Sequence, residues 1–599
     1  MSLHEKLPSL DRLVYGAATA VKRFPLTLTA AALATLSVIQ LADHPSSTDQ
    51  EMWQRLALAC SLAVPFLFAL AVFGEKRWGK SMLSRVPSLV GLVLIVWYYL
   101  TLPVGLEPEY QHLLRFAILM AGAHFLVACL PYLDRTGKTD FWHYNKSLFL
   151  RFLLAALYSA VLFVGLAIAL AAADHLFGFD VKEIRYVQLW MLMAGLTNTW
   201  IFLAGVPERL DNIGTDEDYP KGLSLFAQFV LLPLVALYFV ILIAYEAKIV
   251  IQWNWPRGWV SQLVLWYAVV GILALLLLYP LRNKEGKRWV QVFSRSFFWA
   301  LVPLLGMLFF AIAVRISDYG LTEPRYLVVA MAVGLTAVML YFLFSKGKDI
   351  RIIPTVLTVV ALVSAFGPWG AFAVSRNDQQ DRLQELLVNN ELFADGHLIE
   401  PVAKLPSDVC AEMSSVVQYL YDYHGVKAFE RWFSESELAA VSDTAKYYRA
   451  TMLTAMFGFE YAAQWQRDID RVWSPVTPYR ESVDVEGYSL LIALDGLSPQ
   501  GAAKNVVVGE HNFSFVLDSE SGTMEVWDYV NELHESIPLA EKMAEALESY
   551  PATVVPAGEL EFTFALSGVE AKVVLKTVTG YKTTDGYKVT NAEGWLLFK

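Results

Sequence analysis

Eleven apolar runs follow one another through the first 374 residues, at about 25–42, 56–73, 86–104, 112–133, 148–173, 186–205, 222–246, 259–281, 296–314, 325–344 and 352–374. A membrane-crossing helix needs roughly 20 mostly apolar residues. In hydrocarbon each backbone amide must bond inside its own segment, so successive runs of this kind fold as a bundle of crossing helices. Trp and Tyr gather at several run ends, as in "IQWNWPRGW" (251–259), where amphipathic rings favour the headgroup level.

Composition agrees. Of the 599 residues 56% are hydrophobic and only 18% charged, with a mean hydropathy of +0.42. The charge is divided unevenly. Residues 375–599 hold 17 Lys+Arg and 35 Asp+Glu, whereas the rest hold 30 and 23. Basic residues also sort by connection. The N-terminal segment and every second connection after it carry 21, including "EKRWGKSMLSR" (75–85) and "RNKEGKR" (282–288), against 7 on the other set. By the positive-inside rule the amphipathic N-terminal segment, 1–24, is cytoplasmic. With eleven spans (25–374) the acidic C-terminal part is expected outside the cytoplasm.

Past residue 375 the apolar runs stop. "DRLQELLVNNELF" and "PSDVCAEMSSVVQYLYDYHG" (406–425) read as helices, the second stopped by Gly425, and residues 444–473 read as helical too. The period then shifts toward two in "YSLLIAL" (488–494), "FSFVLDSESGTMEVW" (513–527), "LEFTFALSGVEAKVVLKTV" (560–578) and "GWLLF" (594–598), with turns at Ser521–Gly522 and Ser567–Gly568. One helix is expected at about 529–549. The fold class is therefore a polytopic α-helical membrane domain of about 11 spans followed by an extracytoplasmic soluble region. That region is a helical collar, 375–475, and an α+β domain, 480–599, with an antiparallel sheet. Cys60, Cys129 and Cys410 form no CxxC pair, which argues against a thiol–disulfide or cysteine–zinc role.

The most unusual polar stretch is "RISDYGLTEPRY" (315–326), between two spans. Gly320 can end one helix, and Thr322, Glu323 and Pro324 can start the next. Arg315, Asp318 and Tyr319 need another reason. Helical spacing puts Asp318 and Tyr319 beside Arg315, predicting an Arg315–Asp318 ion pair, and Arg325 stands just across the turn. Glu246, Lys248, Trp369 in "FGPWG" and Arg376 reach the same side, and Gly367, Pro368 and Gly370 should break the last span. Together these residues outline a candidate ligand site for a polar or anionic group. The competing reading is an interfacial clasp that fixes helix ends and seats the C-terminal region. Inside the spans His124, Asn198 and Gln228 are single polar residues, expected to bond neighbouring helices.

No Walker A loop, HExxH, GxSxG elbow or post-strand GxGxxG occurs, and "HNFSF" (511–515) reads as strand, so no catalytic residue, metal or cofactor is assigned. The acidic tail argues against nucleic acid. The expected partners are the lipid bilayer and a protein meeting the acidic C-terminal domain.

The strings "RISDYGLTEPRYL", "SKGKDIRIIP" (345–354), "AFGPWGAFAVSRNDQQDRL" (365–383), "PRGWVSQLVL" (256–265) and "LLYPLRN" (277–283) resemble the bacterial membrane family called domain of unknown function 4153. The resemblance implies a multi-pass inner-membrane protein and carries no settled activity. Three functional readings follow. One is transport or envelope homeostasis acting on a small polar solute or lipid headgroup at the outer leaflet. Another is a non-catalytic scaffold or sensor whose external domain binds a protein. The last is a membrane-embedded transferase using Asp43, Asp49 and Glu51.

Overall fold

The computed structural model describes residues 10–43, 49–79, 81–103, 109–134, 138–210, 219–252, 259–282, 287–345, 348–399, 405–443, 449–462, 472–473, 485–497, 503–509, 511–518, 521–531, 533–541, 561–566, 568–583 and 586–599. Among them, ten helices are long and apolar enough to cross a membrane: Pro25–Asp43, Gln50–Trp78, Met82–Thr101, Tyr110–Tyr132, Asp140–Phe177, Glu183–Ala204, Gly222–Gln252, Ser261–Leu281, Arg288–Tyr319 and Glu323–Phe344. The eleventh expected run differs. Its helix, Ile352–Ala365, has 14 residues, about 21 Å at roughly 1.5 Å per residue, short of about 30 Å of hydrocarbon. The chain then breaks at "FGPWG", where Gly367 takes φ +86°, and restarts as the exit helix Ala371–Asn389. Pro368 cannot donate to a helix ladder and Gly367 accepts the left-handed turn, so the break follows from the local sequence.

By internal contacts the chain divides into two compact units, Met1–Glu385 with Tyr419–Ala439, and Leu386–Gln418 with Ala440–Lys599. The first unit is the helical membrane part. Its largest apolar cluster joins Phe24, Phe68 and Tyr132 to residues of the later helices such as Leu275, Phe297, Leu304 and Leu335. A second cluster packs Ala63, Leu67, Ile95 and Leu119 against Ala361 and Phe372. Charges at the ends bearing the basic connections are tied internally. Arg23 holds Glu75 through contacts of 2.9, 3.0 and 2.7 Å. Arg351 pairs with Asp349 at 2.6 Å and donates to the Tyr132 carbonyl at 3.2 Å.

Two spans contain a widened π-turn, Met193–Thr197 and Ala227–Leu231. Asn198 follows the first and Gln228 lies in the second. His124 and Gln228 bond differently from expectation, and Asn198 Oδ1 is buried without a hydrogen bond. His124 Nδ1 lies 2.8 Å from Met120 O and Gln228 Nε2 donates to Ser224 O at 2.9 Å, both within their own helix. A turn back onto the i−4 residue is always in reach, whereas a neighbouring helix need not offer a free group.

The second unit carries the strands β1 (Phe393–Ala394), β2 (His397–Leu398), β3 (Val472–Trp473), β4 (Leu490–Leu497), β5 (Lys504–Val508), β6 (His511–Asp518), β7 (Thr523–Asp528), β8 (Leu533–Ile537), β9 (Glu561–Leu566), β10 (Val569–Thr583) and β11 (Gly586–Phe598). β1 and β2 form a small hairpin. One antiparallel sheet runs β3-β10-β11-β4 with β9 also on β10, and another runs β5-β6-β7-β8. Alternation drives both. Phe513, Phe515 and Leu517 of β6 point inward with Val573 and Leu575 of β10, and Phe513 stacks on Phe598 at 5.7 Å, so the sheets share one core. Two expectations are corrected here. The helix expected at 529–549 is strand β8 over 533–537, with helical residues only from Leu539; residues 542–549 lie outside the described set. The Asp528 carboxylate accepts Val530 N–H at 3.0 Å and closes a β7–β8 hairpin, which overrides local helix propensity. Likewise Val472–Trp473, expected as helix end, pairs with Tyr581 and Gly580 of β10.

Candidate functional site

The helix Arg288–Tyr319 ends at Gly320 (φ +70°), whose N–H bonds Ile316 O at 2.8 Å. A helix end leaves carbonyls without intrahelical partners. Here three side chains take them up. Arg382 Nη2 donates to Asp318 O at 2.9 Å, Gln379 Nε2 to Tyr319 O at 3.2 Å, and Arg325 Nη1 to Tyr319 O at 2.9 Å and also to Gly320 O. Two of these donors are cations at a helix C-terminus, where the macrodipole favours them. Asp378 Oδ2 accepts the Leu321 N–H at 2.6 Å. The next helix starts after Thr322 with Pro324 in its first turn, as expected, but the Thr322 hydroxyl makes no cap bond.

Glu323, expected at this helix start, is held in an unforeseen way. It is 0% exposed. A buried carboxylate is costly unless bonded. Tyr419 donates its hydroxyl to Glu323 Oε2, and His424 Nε2 lies 3.0 Å from Oε1. The imidazole sits off the line of a hydrogen bond and meets Oε1 as a close polar contact. Burial, and then the Glu323 charge, hold the Tyr419 phenol well above its ordinary range. Both partners come from the last turns of the helix Ser407–His424, which Gly425 (φ +69°) ends. The same turn reaches a second span: Tyr423 stacks on Tyr110 at 5.4 Å. Oriented to satisfy both its ends, the Gln111 amide accepts from Arg115 at 3.0 Å and donates to Tyr423 O at 3.3 Å. Gln380 donates to Ala428 O at 2.7 Å, and Arg431 pairs with Asp381 at 2.6 Å.

The expected site is thus partly assembled and partly dispersed. Tyr319, Glu323 and Arg325 belong to the clasp, and Trp369 joins it through its carbonyl, which accepts the Tyr326 hydroxyl at 2.8 Å. The Arg315–Asp318 ion pair is absent among the described residues; Asp318 contributes its carbonyl to Arg382 instead. The helix runs on to Tyr319, and its last carbonyls are taken by Arg382 and Arg325. No hydrogen bond or ion pair joins Glu246, Lys248 or Arg376 to this loop among the described residues. Glu246 is buried with Oε1 unbonded, while Lys248 and Arg376 are exposed. Asp43, one of the transferase candidates, lies 3.6 Å from Arg185. Sequence reasoning missed Asp378, Gln379, Arg382, Tyr419 and His424. The Glu323–Tyr419 bond crosses 96 positions, and no local spacing announces it.

Chemically the arrangement is a lock. The Glu323 carboxylate is sealed from solvent. Elsewhere His511 Nδ1 lies 2.9 Å from Asp528 Oδ2, with Asn531 donating to the same oxygen at 2.8 Å. Strand alternation turns the nearby Ser514 to the opposite face, away from this pair. No cluster of three or more metal-ligating side chains occurs among the described residues.

The family profile "Domain of unknown function (DUF4153)" matches residues 26–393, more than half of the chain. The chain belongs to the DUF4153 family. The DUF4153 match includes Glu323, Arg325, Asp378, Gln379 and Arg382, and stops before Tyr419 and His424. An uncharacterised protein of Pasteurella multocida (strain Pm70) is 22% identical over 367 residues, covering 61% of this chain and 59% of that relative. This DUF4153 chain therefore aligns with less than two thirds of the curated relative's length. No solved structure matches it. The protein is a multi-pass helical membrane protein of an uncharacterised family.

Proposed function

We propose that this protein is a non-catalytic scaffold or sensor of the bacterial inner membrane, whose extracytoplasmic region meets a protein partner and whose residues 419–439 are keyed to the spans. The observation that carries the reading is Glu323, buried at a span start and gripped by Tyr419 and His424. In the 318–325 loop the helix-end carbonyls, the Leu321 N–H and the Arg325 and Glu323 side chains are spent on ending one helix, starting the next and holding residues 419–424. In the second unit the outer face of β7 and β8 presents Trp527 stacked on His534 at 4.6 Å, with exposed Tyr529, Val530 and Leu533 nearby. Exposed aromatic residues among polar neighbours suit a protein contact.

A second reading, handling of a small polar solute or lipid headgroup at the outer leaflet, rests on a different observation. Arg315 and Arg382 both lie close enough to Arg325 to repel it. Three guanidiniums in one place would welcome an anion.

One experiment separates the two. The full chain is purified in mild detergent, with and without residues 485–599. The scaffold reading expects a stoichiometric protein that leaves with the deletion, and no headgroup-dependent thermal shift that Arg315→Gln abolishes. The reading falls if no such protein is found and a defined phospholipid raises Tm only while Arg315 is present.

A further inference from the structure

An apolar cavity of about 350 Å³ lies within the first unit. Six helices wall it, at Ala128, Trp142, Leu223, Leu276, Leu335 and Pro354 among others. Most of its lining lies toward one membrane face. Ala128 and Leu276 sit near the ends of their helices, and Trp142 and Pro354 near the starts of theirs. This is the face bearing the basic connections. Trp142 Nε1 ties the wall together by donating to Leu276 O at 2.7 Å. The cavity's lipid-side rim is Phe149, Val269 and Leu273, all exposed large apolar side chains of spanning helices. It therefore opens sideways into hydrocarbon.

Interiors pack to near-crystalline density, so an apolar space of this size among packed helices calls for a filler. It falls in the roughly 300–1,000 Å³ range of small-molecule sites. In a bilayer the filler at hand is an acyl chain. The lining's polar members are Asn145 and Lys146. Asn145 belongs to the wall, since its amide donates to Phe141 and Ala128 carbonyls at 2.9 and 3.3 Å. Lys146 supplies a cation in the early turns of the helix Lys138–Phe177, toward the face bearing the basic connections. Its Nζ is 3.1 Å from His143 Nδ1 and 5.4 Å from the Trp142 ring centre. A basic side chain near the membrane surface favours anionic headgroups.

We infer that this cavity is a binding site for one acyl chain of an anionic phospholipid of the leaflet facing the basic connections, with the lipid phosphate drawn to Lys146. The site lies away from the Glu323 clasp, shares no residue with it, and stands or falls independently of the function proposed above.

The test uses the full chain in phosphatidylcholine vesicles. They carry a trace of phosphatidylglycerol or phosphatidylcholine with a photoreactive diazirine at the acyl terminus, and adducts are mapped by peptide mass spectrometry. Deep lining residues Met331, Leu335 and Ile272 should be labelled above the lipid-facing Leu157 and Val161 of helix Lys138–Phe177. Ala128→Trp should remove the deep adducts and leave those at Leu157. Lys146→Gln should lower the preference for phosphatidylglycerol about fivefold, the weight of roughly one interfacial cation. Thermal melting in detergent verifies that each variant is folded. If Ala128→Trp fails to fold, the wild-type map decides alone. Deep labelling no stronger than at Leu157 overturns the site, as does deep labelling that survives in folded Ala128→Trp. An unchanged lipid preference in Lys146→Gln overturns the headgroup assignment.

Discussion

At the residue scale Glu323 is the critical side chain. Its charge is tolerable only while Tyr419 and His424 face it. Tyr419→Phe removes the one hydrogen bond to Oε2 and strands a buried acceptor, so detergent unfolding should show a loss of about 2–3 kcal/mol. Glu323→Gln removes the charge along with the bond geometry and should cost less; an equal or larger loss would mean that the carboxylate itself is the stabilising element. The raised Tyr419 pKa also gives a pH dependence. The folded phenol titrates above its ordinary value of 10.0, so its contribution is complete below pH 10 and is lost as pH rises toward the folded value. Wild-type Tm should therefore fall above pH 10 more steeply than that of Tyr419→Phe, and parallel curves would rule this residue out as the cause.

At the element scale two backbone positions carry the structure. Gly320 ends a span at φ +70°, and a Cβ there would sit 2.3 Å from Gln379 Nε2 and 2.8 Å from Asp378 Oδ2. Gly320→Ala thus combines left-handed strain with displacement of two loop-holding side chains, and should cost about 2–3 kcal/mol by thermal melting. Gly594 faces a harder obstacle. Its Cβ would lie 2.1 Å from Val574 O, which is backbone, beside the register shift between Ala592 and Gly594. Limited proteolysis of full-length Gly594→Ala should show new cleavage within 561–598, with the spans still resistant. Unchanged cleavage would mean that β10 and β11 can part without loss.

At the scale of the whole molecule the two units interleave along the chain, which decides where it can be cut. Among the described residues the buried sheet core runs from Leu494 to Phe598, with Ile492 packed against it, and none of the cysteines Cys60, Cys129 and Cys410 lies in 485–599. Residues 485–599 should fold alone, with a cooperative melt that reductant leaves unchanged; a non-cooperative melt would refute the autonomy of that core. The longer piece 376–599 takes Tyr419–Ala439 out of the unit to which they belong. It should bind a hydrophobic dye that the shorter piece ignores.

The sequence by itself determined what local chemistry enforces. Hydrocarbon demands self-satisfied helices, so the ten long spans were legible as apolar runs. Gly367 and Pro368 marked the break before the exit helix, and Gly522 and Gly568 marked strand turns that the structure places at positive φ. The stop at Gly320 was legible for the same reason. Tertiary structure decided the rest. Whether 533–537 is helix or strand depended on the β7 edge and on Asp528 closing the turn. Which side chains took the carbonyls at Asp318 and Tyr319 depended on the helices that the fold set beside that helix end. The partner of Glu323 depended on a helix 96 positions away. Pairings across such distances are set by which surfaces the folded chain brings together, and the spacing of neighbouring residues holds no record of them.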